Sequence, residues 1–466
     1  MNKPYRLAIS TQHHTQLVDH LFPGDGLEAA AILLCAKSSD CRLLVKEFVP
    51  VSHDKCKVRL PDRITWPGSS IEEAIDKAEP EELSIILIHS HPGGMFDFSR
   101  YDDDSDLCVI PSLFEGMSSP MATHGSAIMT PDGAIRVRIY QRNLDFTNVK
   151  SVICSSEDIA IWRASGLGTL EKRPMAFSSA VREDLQHLTV CIVGVSGTGS
   201  IVAEQLARMG IGRLILIDFD KIEFKNLNRI INSTLEDAEA GKNKTKIFAA
   251  SAKRYRDDME VYCIESSISC REAIEAAGDA DMLFCCVDSF EGRQICDRMA
   301  SVFLQPLFDV AVTIPTRKTE NNGVAIADAC GRLDYVYPGG STLFDRGVYS
   351  PEALRKEYLQ SVAPEDHDEQ VAAGYLKGVI EEAPSVITLN MRASSACVTE
   401  FIARCYPFRH ESNAQFSRTT FSLATGEEEY ENECELNRSE NPYIGRGLQE
   451  PLLGMPCFTF KKGVAA

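Results

Sequence analysis

The sequence predicts an α/β protein made of two domains: an N-terminal one with a mixed sheet, then one with a doubly wound, mainly parallel sheet. Three observations predict it. At 466 residues the chain is longer than one ordinary hydrophobic core supports. Residues 1 to about 145 alternate short β-like runs with one helical pattern, and a TPDG turn joins two of the runs. From residue 186 short apolar runs alternate with helical patterns, the signature of βαβ units.

In the first domain, placed at 1–148, RLLVKEFVPV, LSIILIHSH and GSAIMTPDGAIRVRIY read as strands of a largely antiparallel sheet, with a helix near IEEAIDKAEPEE. Residues 149–174 read as a linker. The second domain is placed at 175–466. There LTVCIVGV is a buried strand, SGTGSIVAEQLARMG a helix with a glycine-rich start, and RLILIDFD a second strand. KTKIFAASAKRYRD is helical again and DMLFCCVD a third strand. SPEALRKEYLQSV reads as a charged helix, SVITLNMRASSACVTEFIARCY as a long apolar one, and the Glu-rich C-terminal stretch as a few strands plus a tail.

A formal charge of −19 repels a phosphate backbone, which argues against nucleic acid as a direct partner. No apolar run approaches the ~20 residues that span a bilayer, and MNKPYRLAIS lacks a signal peptide's apolar core. The sixteen cysteines are scattered, often inside apolar runs, and no CxxC occurs. That is the usage of a reducing compartment, so a cytoplasmic protein is expected.

Two constellations carry chemistry. The first is HSHPGGMFDFSRYD at 89–102. Residues i and i+2 of a strand share a face, so His89 and His91 can aim at one point. Gly93 and Gly94 let the chain turn back, which brings Asp102 within reach as a third ligand on a helix beginning near Tyr101. Two imidazoles and a carboxylate with a fourth position open make a catalytic zinc site. Such chemistry needs a base, and Glu28 is a lone acid on an apolar segment, where desolvation would raise its pKa. Taken alone, an HxH can equally be an ordinary strand pair, and Glu28 a charge at a helix start.

H-x-H-P-x6-S-x2-D, with a glutamate upstream before an apolar strand, closely resembles the JAMM (JAB/MPN) metalloprotease family over about the first 145 residues. The resemblance implies zinc on His89, His91 and Asp102, water activation by Glu28 and oxyanion stabilisation by Ser99. It also implies cleavage after the C-terminal glycine of a ubiquitin-like protein.

The second constellation begins with GVSGTG at 194–199. Gly194, Gly197 and Gly199 allow backbone amides to approach phosphates at a helix N-terminus, and Asp218 ends the next strand, where it can bond a ribose hydroxyl. So far a dinucleotide-dependent oxidoreductase stays open, although Ser196 stands where such sites usually need glycine. IDFDKIEFKNLNR then adds Asp220, Asn226 and Arg229, and GKNKTK adds Lys242, Lys244 and Lys246. Adenylation needs such cations, because charge on the α-phosphate must be offset while a carboxylate attacks it. Asp288, in FCCVDSFEGR, can hold magnesium at the mouth of another strand. The competing reading of NLNR and GKNK is a solvated basic stretch.

The set G-x-x-G-x-G, D-x-D, N-L-N-R, G-K-N-K and V-D-S closely resembles the ubiquitin-activating enzyme superfamily, including the ThiF/MoeB-type adenylyltransferases, over roughly 175–410. It implies a Rossmann-like adenylation domain that binds ATP and Mg2+. Asp218 would hold the ribose, Asn226, Arg229 and Lys244 would face the phosphates, and Asp288 the magnesium. It also implies a homodimer through this domain, with Arg173 or Arg182 reaching the partner's nucleotide.

Relatives often carry CxxC zinc ligands where this chain has YPGGSTLFDRGVYS, and again near ENECELN, where only Cys434 is present. Loss of that structural zinc is expected. No cysteine lies between Cys330 and Cys397, so the nucleophile after adenylation stays open among Cys330, Cys397, a hydroxyl of Ser341, Thr342 or Ser350, and none. Together these features predict a bifunctional enzyme that processes and activates a ubiquitin-like protein, with a conjugating enzyme as a further partner. Maturation of a sulfur-carrier protein and a catalytically dead modifier-binding scaffold are the alternatives.

Overall fold

In the computed structural model, residues 4–119, 123–164, 181, 184–319, 323–362 and 385–459 are described. Internal contacts divide the chain into two units: Met1–Arg173 with Ser301–Leu304 and Asn441–Ala466, and Pro174–Ala300 with Gln305–Glu440. No helix among the described residues is long and apolar enough to cross a membrane.

The first unit is a nine-stranded mixed sheet with helices on both faces. Its elements are β1 (Arg6–Ser10), α1 (Thr11–Leu21), β2 (Ala30–Ser39), β3 (Arg42–Pro50), the hairpin β4 (Val58–Leu60) and β5 (Arg63–Thr65), α2 (Ser69–Ala78), β6 (Ser84–Ser90), α3 (Arg100–Gly116), β7 (His124–Met129), β8 (Ile135–Tyr140), β9 (Phe146–Asn148), β10 (Ser151–Ser155) and β11 (Ile159–Trp162). The strand order is β11-β10-β1-β3-β2-β6-β7-β8-β9, with parallel pairs at β1–β10, β1–β3 and β6–β7.

Period-two alternation sorts the core. Ala31, Leu33, Cys35, Ile86 and Ile88 face Leu17 and Leu21 of α1. Ala30, Ile32, Leu34, Ile85 and Leu87 face Ala74 and Ala78 of α2 and Ile110, Leu113 and Phe114 of α3. The odd-numbered side of β6 therefore looks toward α3. That parity decides where His89 and His91 point.

Two expected boundaries shift. The linker placed at 149–174 begins inside the sheet: SVICS is β10, fully buried and parallel to β1, and β11 pairs back onto it. Its residues are buried like those of any core strand, but the partner lies some 145 residues earlier in the chain. The C-terminal tail groups with the first unit rather than the second. Leu448 N–H donates to Lys37 O at 2.8 Å, and Gln449 bonds Lys46 at 3.1 Å and Glu81 at 2.6 Å.

The second unit is an eight-stranded sheet ordered β14-β13-β12-β15-β16-β19-β20-β21, parallel from β14 through β16 and antiparallel beyond. It runs β12 (Thr189–Val193), α4 (Gly197–Met209), β13 (Arg213–Ile217), α5 (Leu235–Glu239), α6 (Lys244–Ala252), β14 (Glu260–Ile264), α7 (Arg271–Gly278), β15 (Met282–Cys285), α8 (Phe290–Val302) and β16 (Leu307–Thr313). The small hairpin β17 (Thr316–Lys318) and β18 (Val324–Ile326) precedes β19 (Cys330–Val336), α9 (Pro351–Val362), α10 (Ile387–Cys405), β20 (Arg418–Ser422) and β21 (Glu427–Glu431).

The turn from β12 into α4 admits only glycine at two positions. Gly194 has φ +85°, and a Cβ there would lie 2.8 Å from Cys286 O. A Cβ on Gly199 would lie 1.8 Å from Gly194 O, so the helix start presses directly on the turn. Gly199→Ala is expected to cost about 2–4 kcal/mol by forcing this backbone apart, read as a lower urea midpoint at unchanged slope.

Two candidate active sites

The histidine site forms where β6 runs out. Ser90 locks that end to its neighbour: its Oγ accepts Ala29 N–H at 2.9 Å, and His91 N–H continues the ladder to Met129 O at 2.8 Å. His89 and His91 keep the odd parity of Ile85 and Leu87, and their Nε2 atoms meet at 3.0 Å. His91 Nδ1 lies 2.8 Å from Met95 O and donates to it, which orients the ring with Nε2 toward the site.

Asp102 arrives from the first turn of α3. Ser99 caps this helix: its Oγ accepts Asp102 N–H at 3.2 Å, and Asp102 Oδ2 accepts Ser99 N–H at 2.6 Å. This reciprocal box fixes the carboxylate with Oδ1 at 3.1 Å from His89 Nε2 and Oδ2 at 3.5 Å from His91 Nε2. Because Ser99 Oγ accepts within the box, its hydroxyl hydrogen remains to donate elsewhere.

Glu28 lies in the extended segment that enters β2, not at a helix start. Its N–H donates to Leu60 O at 2.9 Å, and its carbonyl accepts from Arg59 Nε at 2.9 Å, so the β4–β5 hairpin holds it by the backbone. The side chain is thereby left for the site: the ligating atoms of Glu28, His89 and His91 all lie within 4.8 Å of one another.

The electrostatics are consistent with that arrangement. Burial raises the pKa of Glu28, partly opposed by the two histidines. Burial would also raise Asp102, but its bonds to His89 and His91 hold it well below the usual carboxylate range. Burial would lower His91, and its bonds to Asp102 and Met95 O outweigh this and raise it. Two imidazole nitrogens and a carboxylate converging on one point, with a second carboxylate beside them, fit a zinc ion.

The second site surrounds the turn after β12. Asp218, at the end of β13, is buried. Its Oδ2 accepts Val195 N–H at 2.7 Å and its Oδ1 accepts Asp220 N–H at 2.9 Å, and burial raises its pKa against the pull of Lys244. Lys244 opens α6 and is 5 % exposed; its Nζ donates to Asp220 Oδ2 at 2.7 Å and lies 4.0 Å from Asp218 Oδ1. The flanking cations point elsewhere, Lys242 to Asp237 at 2.8 Å and Lys246 to Glu265 at 2.5 Å. Of the three lysines, Lys244 alone turns inward, which excludes a uniformly solvated basic stretch.

Arg229 lies against the glycine turn, its Cδ 3.2 Å from where a Cβ on Gly197 would sit, and its Nη1 bonds Lys225 O and Asn228 Oδ1 at 3.3 Å. Asn226 is buried, and its Oδ1 accepts Glu223 N–H at 3.0 Å. Asp288 is exposed just past β15, beside a groove of about 640 Å³ lined also by Phe290, Thr313, Cys330, Phe421 and Glu427. Asn243 was not singled out from sequence. Its Nδ2 bonds Asp218 O at 3.0 Å and Asp220 O at 3.1 Å, tying α6 to the end of β13; its place inside GKNK, just ahead of a helix, was the available signal.

The candidate nucleophiles are mostly engaged. Cys330 donates to Asp328 at 3.0 Å, and burial and that carboxylate push its thiol up to about 11. Cys397 is fully buried, and burial holds its thiol well above the ordinary range. Ser341 donates to Glu433 at 3.0 Å and accepts from Arg346 at 2.9 Å, while Thr342 donates to Asp345 at 2.8 Å. Ser350 accepts Ala353 N–H at 3.2 Å. Where relatives would place thiolates around zinc, Ser341, Arg346 and Glu433 thus form a hydrogen-bonded ion-pair cluster. Arg173 and Arg182 lie outside the described residues.

Comparison with known proteins agrees with the architecture. The model for prokaryotic homologs of the JAB domain matches residues 10–137, and that for the ThiF family matches residues 171–431. Ubiquitin-like modifier-activating enzyme 5 of Bombyx mori is 29% identical over 173 residues, 35% of this chain and 40% of that protein. The Gallus gallus protein of the same name is 27% identical over 178 residues, with the same coverage. The chain thus spans about two-fifths of the length of these curated relatives. A crystal structure of E. coli MccB with ATP aligns at 19% identity and a TM-score of 0.40, over 54% of this chain and 66% of that one. The chain belongs to the ThiF family and carries, ahead of that domain, one that matches the prokaryotic homologs of the JAB domain.

Proposed function

We propose that the chain is a bifunctional enzyme acting on the C-terminus of a ubiquitin-like protein. The first unit removes whatever follows the terminal glycine, and the second transfers AMP from ATP to the exposed carboxylate. The observation that carries this reading is the convergence of Glu28 with His89 and His91, which Asp102 also meets, in a chain that also belongs to the ThiF family. Relatives named for activating ubiquitin-like modifiers support the substrate class. A conjugating enzyme and a homodimer through the second unit are part of the same reading.

In the first unit His89, His91 and Asp102 would hold zinc, which supplies Lewis acidity to a water molecule and to the scissile carbonyl. Glu28 takes the proton released on attack and returns it to the departing amine, and its raised pKa suits both steps. The Ser99 hydroxyl donates to the oxyanion as it develops. In the second unit the start of α4, opened to close approach by Gly194, Gly197 and Gly199, receives phosphate oxygens, and Asp218 receives the ribose. Asn226, Arg229 and Lys244 offset charge around the α-phosphate as the carboxylate attacks. Asp288 would hold magnesium, which offsets further phosphate charge.

The test is incubation with small ubiquitin-like proteins that carry residues beyond their glycine pair, in ATP and magnesium, followed by mass measurement. Loss of the extension and gain of AMP are expected; neither change on any of them would overturn the reading. Glu28→Gln should slow truncation by about 10²–10⁴-fold and leave AMP transfer intact. Lys244→Ala or Arg229→Ala should slow ATP–pyrophosphate exchange by about 10²-fold and leave truncation intact. Glu28 must be ionised to act as base. Truncation should therefore fall as pH drops far enough to protonate it, as a pH–rate profile reads. Chelation with 1,10-phenanthroline should abolish truncation while AMP transfer with added magnesium persists.

A further inference from the structure

The ligand set proposed for zinc is divided between two elements, β6 and α3. What holds them in register is unusual in one respect. Among the described residues of α3, those buried are Asp106, Ile110, Leu113 and Phe114. The apolar anchors all belong to the C-terminal half of the helix. The turns that carry Asp102 bury no apolar side chain, and Asp103, Asp104 and Asp106 follow Asp102 closely.

Resting on the zinc reading above, we infer that Arg138 is a positioning residue for the metal site, joining the sheet that carries His89 and His91 to the helix end that carries Asp102 and Ser99. Register puts it in place. Leu87 on β6 pairs with Ser126 on β7, and Ser126 pairs with Arg138 on β8, so Arg138 shares the face of His89 and of α3. It is 2 % exposed. Its Nε and Nη2 reach Asp106 Oδ2 at 3.0 and 2.7 Å, and its Nη1 reaches Asp103 Oδ1 at 2.5 Å. The same Asp106 oxygen accepts from Tyr140 Oη at 2.9 Å and from Ser126 Oγ.

Arg138 also holds the loop. Its guanidinium lies 3.9 Å from the centroid of the Phe98 ring, next to Ser99. On the same face of β8, Arg136 donates to Phe96 O at 3.0 Å and pairs with Asp97 at 3.1 Å. The two arginines therefore stitch the segment between His91 and Asp102 to the sheet at successive points. Arg138 takes the buried Asp106 and the more exposed Asp103 of α3 with a single planar fork, a geometry lysine does not reproduce.

The experiment uses the full chain, with zinc affinity read by competition against a chromophoric chelator and geometry read from the visible absorption of bound Co2+. Arg138→Met should weaken zinc binding by about 10–100-fold and alter the Co2+ bands, with thermal unfolding showing that the fold survives. Asp102→Ala should weaken binding too, and Arg138→Met added to it should cost nothing more, because Arg138 acts through Asp102. Should Arg138→Met not fold, Arg138→Lys, which keeps the charge and loses the fork, should give an intermediate loss of affinity. Wild-type affinity and bands in the arginine variant that folds would overturn the inference, as would multiplicative losses in the double variant. A wild-type chain that binds neither Zn2+ nor Co2+ would instead sink the zinc reading itself.

Discussion

A central strand buried on both faces can express chemistry only where it stops. All seven residues of β6 are buried, as are all five of β12, so neither strand can offer a side chain to solvent along its length. Each unit solves this at a strand's carboxyl end, by different means. β6 hands over to two imidazoles in its own parity and then to a helix that returns a carboxylate. β12 hands over to a glycine turn that returns backbone amides. In both units the helix that follows begins at the site, and its exposed N–H groups and dipole favour negative charge there.

That arrangement creates an electrostatic problem on each side. At the start of α3 the dipole welcomes acids, yet Asp102, Asp103, Asp104 and Asp106 crowd two turns and repel one another. The histidines take up one of these charges, and Arg138 takes up two more. In the second unit Lys244 is nearly inaccessible and would be costly to bury alone, and Asp218 and Asp220 compensate it. Farther along, Asp309 sits fully buried between Arg293 and Arg332, continuing the same practice of balancing charge inside the sheet.

Much of both sites was legible because it is local. His89, His91, Ser99 and Asp102 fall within fourteen residues, and strand parity plus a helix cap is enough to bring them together. Asp218, Asp220 and Lys244 follow from one βαβ reading in the same way. What could not be read depends on partners distant in sequence. SVICS, three apolar residues between two serines, is an ordinary short run until its parallel pairing with β1 makes it a sheet member. The tail's attachment to Lys37 and Lys46 is carried by the Leu448 backbone and the Gln449 side chain, which no periodicity marks. Arg138 looks like a surface charge on an alternating strand, and only the return of α3 across that face buries it. The absence of cysteines from YPGGSTLFDRGVYS was visible; the Ser341, Arg346 and Glu433 cluster there was not.

The Lys244–Asp220 pair has a further consequence. The ammonium is almost wholly enclosed, whereas its counter-ion is half exposed at 50 %. An incoming anion therefore need not bring charge into an uncompensated cavity. It would trade places with a carboxylate that water readily takes back, as in an exchanger already loaded with a replaceable occupant. Affinity for any anion there measures a difference between two pairings rather than one whole attraction. Background salt, which weakens both pairings alike, should move that difference less than it moves ordinary surface attraction.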